Sequence, residues 1–233
     1  MSSYSFEIGD ETPQVSDALL RMNRMYRWQR HIYDATRRYY LLGRDGMIAN
    51  LHPAVGAHVL EIGCGTGRNL VRAARRYPQA RFFGIDVSTE MLTSAMSAIA
   101  RADLAGRIRL AQADATSANP RALFAIAGFD AVMISYSLSM IPEWHHVLEG
   151  AVRLLRPGGR LHVVDFGELE RLPAIRAPLL RWLALFGVTP RDALEQELSA
   201  LASASGADLM FERPFRGYVQ HAVLTMPEGR AKP

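Results

Sequence analysis

The chain has 233 residues, long enough for one domain with appendages and a full hydrophobic core, and its 27 lysines and arginines outweigh 23 acids by +4. Its single cysteine, Cys64, excludes a disulfide framework within the chain and points to the reducing cytoplasm. The acids Glu7, Asp10, Glu11 and Asp17 argue against a secretory signal, and no stretch approaches the about 20 apolar residues that a membrane span needs.

Residues 1–16 read as a disordered leader. Ser16 or Asp17 can cap a helix running to about residue 30, and Tyr33 to Asn50 reads as a second helical stretch broken near Gly43. Arginines 21, 24, 27, 30, 37, 38 and 44 crowd this region, and the first four recur every third residue as a drifting basic stripe. Such a stripe is either a solvated helix face or an attraction to anionic lipid or nucleic acid.

After Pro53 the pattern becomes short apolar runs alternating with helical segments. Strands are expected at 58–62, 81–86, 107–112, 129–135 and 160–166. Helices are expected between them at 68–77, 89–102 (capped by Ser88), about 120–127 and 143–155. That alternation implies a parallel sheet with helices on both faces. Arg156-Pro157-Gly158-Gly159 reads as a turn ending the last of these helices. Residues 172–188 are apolar but punctuated by Pro173, Arg176, Pro178 and Arg181, and 191–205 reads as a helix. Strands at 207–214 and 218–225 are then joined by only Phe215-Arg216-Gly217, which requires an antiparallel hairpin.

The sharpest feature is His58-Val59-Leu60-Glu61-Ile62-Gly63-Cys64-Gly65-Thr66-Gly67, an apolar run ending in an acid and three alternating glycines. Arg81-Phe82-Phe83-Gly84-Ile85-Asp86 follows as a second apolar run closed by a carboxylate. Glycines permit a sharp turn and close backbone approach to a ligand, and a strand-end acid can hold ribose hydroxyls. Dinucleotide enzymes also use glycine-rich loops, but the spacing here is G-x-G-x-G, not G-x-G-x-x-G. The segment resembles motif I of the class I S-adenosylmethionine-dependent methyltransferases. The resemblance implies a Rossmann-like α/β fold whose seven-stranded sheet has five parallel strands and a terminal antiparallel hairpin. It divides the chain into a leader and helical cap (1–50) and a methyltransferase domain (51–233), with 167–205 as an apolar cap insertion.

The same resemblance implies a site for S-adenosylmethionine. Glu61, Gly63, Gly65 and Gly67 would line its methionine and ribose, with Cys64 and Thr66 contributing backbone. Asp86 would accept from both ribose hydroxyls, and Val87 and Met91 would sandwich the adenine. Asp114-Ala115 would meet the adenine amino group, the Ser135 backbone would approach the cofactor's amino group, and Arg44 would pair with a carboxylate of cofactor or substrate.

The acceptor has to be read from outside this shared core. Ser135-Tyr136-Ser137-Leu138-Ser139-Met140-Ile141-Pro142 lacks the Asn/Asp-Pro-Pro-aromatic sequence of base-amine methyltransferases, so no nucleic acid partner is expected. That segment, the stretch from Met25 to Asp45 and Phe215-Arg216-Gly217-Tyr218 resemble the bacterial diacylglyceryl-homoserine N-methyltransferases of betaine-lipid synthesis. The implied substrate is a lipid amine at an anionic membrane surface, met by a protein peripheral to the inner face of the membrane. Tyr33, Tyr136 and Tyr218 are the candidates for holding a methylated ammonium on a ring face. His145 or His146 could serve as base, or sit at the surface. Leu179-Leu180-Arg181-Trp182-Leu183-Ala184-Leu185-Phe186 could rest on a bilayer or pack over the sheet. Rival acceptors are a quinone precursor, methylated on carbon, and phosphatidylethanolamine; a non-catalytic binding protein with the same pocket is the alternative of another class.

Overall fold

The structure is a computed structural model that describes residues 41–167, 173–185 and 187–229. The leader, the arginine stripe at 21–30 and Tyr33 lie outside the described residues. The elements run α1 (Arg44–Ala49), β1 (His58–Ile62), α2 (Arg68–Arg76), β2 (Arg81–Asp86), α3 (Thr89–Arg101) and β3 (Ile108–Gln112). They continue with α4 (Pro120–Phe124), β4 (Phe129–Ser135), a 3₁₀ turn (Leu138–Met140), α5 (Trp144–Leu154) and β5 (Leu155–Phe166). Last come α6 (Pro173–Ala184), α7 (Leu194–Ser205), β6 (Asp208–Glu212) and β7 (Val219–Thr225).

One sheet holds all seven strands in the order β3-β2-β1-β4-β5-β7-β6. The first five are parallel, and β7 runs antiparallel to both β5 and β6. The chain winds outward from β1 in one direction and restarts at β4 on the other side. The β1–β4 seam is therefore the switch point, and the ends of these strands open onto a crevice.

Strand alternation divides the core into two layers. Val59, Phe82 and Val164 face a layer built with Met47, Leu70, Leu92 and Leu183, whereas Leu60, Phe83 and Val163 face Phe124, Val147, Leu148 and Leu198. Thus α6 and α7, which fill most of 167–205, go to opposite faces of the sheet. On α6, Leu183 is buried and Leu179, Leu180 and Trp182 pack partly beneath, while Arg176, Pro178, Arg181 and the following Leu185 are exposed.

Helix starts follow the local chemistry. The Ser88 hydroxyl accepts from the Met91 amide at 3.3 Å, and Asn119 caps the helix that begins with Pro120. Gly43 stands in the left-handed region immediately before α1, where a break was expected. Asp130 joins three strands: one carboxylate oxygen accepts the His58 amide at 2.7 Å, and both accept from Arg156 at 2.8 and 3.1 Å.

One local expectation is corrected. Arg156-Pro157-Gly158-Gly159 is not a free turn but the bulged start of β5, where Phe129 pairs with Leu155 and Ala131 with Arg160. The extra residues stay in the sheet because the Gly158 amide donates to Pro227 O and Gly159 O accepts from Met226. The hairpin turn before β7 is tight as expected, yet its Phe215 and Arg216 occupy the left-handed region at φ 56° and 59°, where glycine or asparagine is usual.

Core residue His162 generates a stability prediction. It is 1% exposed on β5, and among the described residues neither ring nitrogen has a hydrogen-bond partner. Burial first, then the neighbouring His221, lowers its pKa to about 3. The folded protein thus holds it neutral while the unfolded chain takes up a proton near pH ~6.5. The resulting stability is full above that pH and is lost as pH falls toward 3. We expect His162→Leu to flatten the decline between pH 6 and 4 by up to about 1.4 kcal/mol per pH unit, read by urea unfolding. Parallel pH profiles for the two proteins would contradict this.

Candidate functional site

At the end of β1 the backbone folds back onto β2. The amides of Gly63 and Cys64 both donate to Ile85 O, at 2.9 and 3.0 Å, and the Gly67 amide donates to Cys64 O at 3.0 Å. This winding needs positive φ at Gly63, Gly65 and Gly67, at 69°, 52° and 71°. A side chain at Gly63 would also collide with Ser137, whose Cβ lies 2.6 Å from where a Cβ would stand. Gly67 directly precedes α2, so the loop delivers its amides to a helix N-terminus.

Asp86 closes the loop from the β2 side. One carboxylate oxygen accepts the Gly65 amide at 2.7 Å and the other the Ser88 amide at 2.9 Å. A carboxylate at a strand end offers two oxygens side by side, the arrangement that suits acceptance from a pair of vicinal hydroxyls. Val87 is half-buried beside it, and its carbonyl accepts from Gln112 at 3.2 Å. Met91 is only 6% exposed in the first turn of α3.

The crevice at β1 and β4 is lined by Arg44, Glu61, Gly63, Gly65, Asn69 and Ser135, with Leu41, Cys64, Thr66 and Arg68 completing the wall. Glu61 is 1% exposed and accepts from the Asn69 amide nitrogen at 2.7 Å. Arg44 is buried and donates to Leu41 O at 3.1 Å. The buried Ser135 hydroxyl has no hydrogen-bond partner among the described residues and stands on the pocket wall. Burial, with Asp86 and Glu61 nearby, pushes the Cys64 thiol well up, so it stays protonated and its backbone shapes the loop.

Other expected residues lie outside the lining of this crevice. Asp114 is exposed at the end of β3, with one carboxylate oxygen accepting from both the amide and the hydroxyl of Thr116, at 2.9 and 2.7 Å. Ala115 packs partly into the second core layer. Tyr136 departs from the open ring face expected of it. It is 3% exposed, in the left-handed region at φ 56°, and its hydroxyl donates to Leu42 O at 2.7 Å. Burial, then the Asp165 charge, raises its hydroxyl pKa far above the phenolic range. Its ring packs edge-on against Phe166 at 4.6 Å, and Tyr218, half-buried, stands 6.0 Å beyond Phe166. Burial raises the Tyr218 pKa to about 12. His145 and His146 are exposed on α5, and His145 pairs with Glu197 of α7 at 3.1 Å, so neither lines the crevice.

Three contributors had no motif to announce them: Asn69, which holds Glu61; Ser137, which packs on Gly63; and Asp165, buried at the end of β5. A polar residue in the apolar stripe of a helix, as Asn69 is in α2, was the available signal.

Comparison with known proteins agrees with this geometry. Residues 59–159 match the family described as a methyltransferase domain. Over 158 residues the chain is 32% identical to an O-methyltransferase, resE, of Aspergillus sclerotiorum, covering 68% of this chain and 57% of the relative. Over 141 residues it is 30% identical to a ubiquinone/menaquinone biosynthesis C-methyltransferase, UbiE, of Cereibacter sphaeroides, covering 60% of this chain and 52% of that protein. The chain therefore spans little more than half the length of these curated relatives. Among solved structures, mitomycin 7-O-methyltransferase MmcR superposes with a TM-score of 0.68 at 22% identity, over 89% of this chain and 60% of that one, a likeness of fold. The matched region is similar to a methyltransferase domain, and the cofactor that this likeness supports is S-adenosylmethionine.

The residues present fit that group. Positive-φ glycines leave a cradle that side chains would fill, Asp86 stands at the strand end against that loop, the Ser135 hydroxyl lines the wall, and two carboxylates suit a cationic ligand. We expect Asp86→Ala to weaken S-adenosylhomocysteine binding at least tenfold, because each hydrogen bond to a charged group contributes about 1.5–3 kcal/mol. Titration calorimetry on the folded variant checks this, and an unchanged affinity would remove Asp86 from the site.

Proposed function

We propose that the protein is an S-adenosylmethionine-dependent N-methyltransferase acting on the amine of a membrane lipid headgroup, diacylglyceryl-homoserine. The observation that carries this reading is the aromatic file Tyr136–Phe166–Tyr218, which leads from the end of β4 toward β7 beside the cofactor crevice. The resemblance at 135–142 and 215–218 supports it, as does α6 with its exposed Arg176, Arg181 and Leu185. Among the described residues no helix is long and apolar enough to cross a membrane, so the lipid would be met at a surface.

When bound, S-adenosylmethionine supplies an electrophilic methyl group that passes in line to an amine lone pair. The chain's work is to hold the acceptor, exclude water and let the amine shed its proton, since an alkylamine is mostly protonated near neutral pH. In this reading Tyr218 offers the ring that meets the growing methylammonium, while Tyr136 and Phe166 fix that ring from behind. Positioning, not acid–base exchange with a buried tyrosine, is what these rings provide.

Incubation with cofactor and diacylglyceryl-homoserine should give lipid masses rising in steps of one methyl, up to three. Tyr218→Phe keeps the ring and should stay within about threefold of the parent rate. Tyr218→Ala should lose about tenfold, in line with cation–π contacts of about 0.5–2 kcal/mol. A second reading is favoured by the relative named as a quinone-biosynthesis C-methyltransferase: carbon methylation of a lipid-soluble quinone precursor. Turnover on that precursor with no methylated homoserine lipid would decide for it.

The arginine stripe at 21–30 adds a separate expectation about the membrane. Each surface cation contributes about 1 kcal/mol toward an anionic bilayer. Sedimentation should therefore recover more protein with anionic than with neutral vesicles, and the difference should fade at high salt. Equal recovery would leave the stripe as a solvated face.

A further inference from the structure

Beneath the 3₁₀ turn lies a charged group that the cofactor site does not use directly. Asp165, at the end of β5, is 0% exposed. One of its oxygens accepts the Phe166 amide at 2.8 Å and the other accepts the Ser139 amide at 3.1 Å. Arg191, from the α6–α7 connection, brings the compensating charge and donates to Leu138 O at 2.9 Å and Ile141 O at 2.7 Å. The Thr189 amide donates to Ser139 O at 2.8 Å. Behind them Gln220 of β7 donates to Phe166 O and Arg191 O, at 2.9 and 3.1 Å. The turn is thus gripped at both ends by Arg191 and in the middle by Asp165.

What that turn holds makes the grip consequential. It continues from Ser135, on the cofactor wall, through Tyr136, whose hydroxyl reaches the segment before α1, and Ser137, which packs on Gly63. The Ser137 hydroxyl also donates to Ile62 O at 3.3 Å. We propose that Asp165 is a positioning residue for the cofactor site: its carboxylate, through the Ser139 amide and Arg191, keeps the 135–141 segment pressed against the glycine loop. Two buried backbone donors, with the Arg191 charge acting on them from nearby, are a demanding set that only a carboxylate satisfies, because an amide at the same place offers one acceptor atom and two unwanted donors.

Burial raises the Asp165 pKa to about 6, against the lowering pull of the Phe166 and Ser139 amides and of Arg191. Arg191 and the Tyr136 hydroxyl are the titratable groups that face it. The carboxylate is therefore charged at pH 7.5 and takes up a proton as pH drops through 6, which weakens its hold on Ser139. The grip, and with it the cofactor wall, should loosen on acidification.

The test follows the full-length protein by ¹H–¹⁵N NMR and calorimetry, with S-adenosylhomocysteine as the probe. The Ser139 and Phe166 amide resonances should titrate together with a midpoint near 6. At pH 7.5 Asp165→Asn should bind the probe on the order of tenfold more weakly, the loss expected when a buried charge-assisted bond is broken. Wild-type affinity should fall between pH 7.5 and 5 while that of Asp165→Asn stays flat. Arg191→Lys, which keeps the charge but cannot span both carbonyls, should weaken binding by a smaller factor and keeps the test open if the Asn variant misfolds. A pH-independent Ser139 amide in the wild type, or wild-type affinity and pH profile in the folded Asn variant, would overturn the proposal.

Discussion

The carbonyl oxygen of Ile85 accepts two consecutive amides, from Gly63 and Cys64, and the site is organised around that shared acceptor. It binds the turn after β1 to the last residues of β2, so the glycine loop and Asp86 meet because of how the strands are paired. The register Glu61↔Gly84 and Ile62↔Ile85 is a precondition. A slip of one residue would turn Glu61 out of the crevice and place a different carbonyl under the loop. Gly84 protects that register from beneath: a Cβ there would stand 2.6 Å from Leu70 and 2.9 Å from the Cys64 sulfur, so the close approach of α2 to β2 depends on a missing side chain.

Three carboxylates near the crevice show how differently a fold can carry the same charge. Asp86 is half-exposed and held by two amides at a chain reversal. Glu61 is buried and met by the Asn69 side chain. Asp165 is deeper still and faces Arg191. The first two lie on the cofactor side, where negative charge suits a cationic ligand. The third is neutralised from within the protein, which fits a group that shapes the wall without touching what binds there.

Much of this could be read from the chain. Four of the five parallel strands fall within a residue of their expected positions because each is an apolar run bounded by turn chemistry, whereas β5 begins five residues early, and the terminal hairpin followed from a connection too short for a crossover. The Gly63–Gly67 loop and Asp86 were legible because their role is local and backbone-driven. Tyr136 was misjudged because its environment is tertiary: its partner Leu42 lies 94 positions away, and no spacing announces such a bond. Asp165 was overlooked for the same reason, since its partners come from the β4 end and the α6–α7 connection. Arg156–Gly159 carried an unambiguous turn signal, yet the tail at Met226 and Pro227 supplied ladder partners that kept it within the sheet.

One outer strand has a consequence for how copies of this protein meet. Among the described residues β6 pairs only with β7, leaving its other side without a ladder partner. Its exposed face carries Asp208, Met210 and Glu212. Were two copies to join antiparallel about Met210, each Asp208 would stand opposite a Glu212, and like charges directly across a ladder repel. The border of the sheet is thereby discouraged from recruiting its own kind, leaving an apolar methionine there without inviting fibre growth.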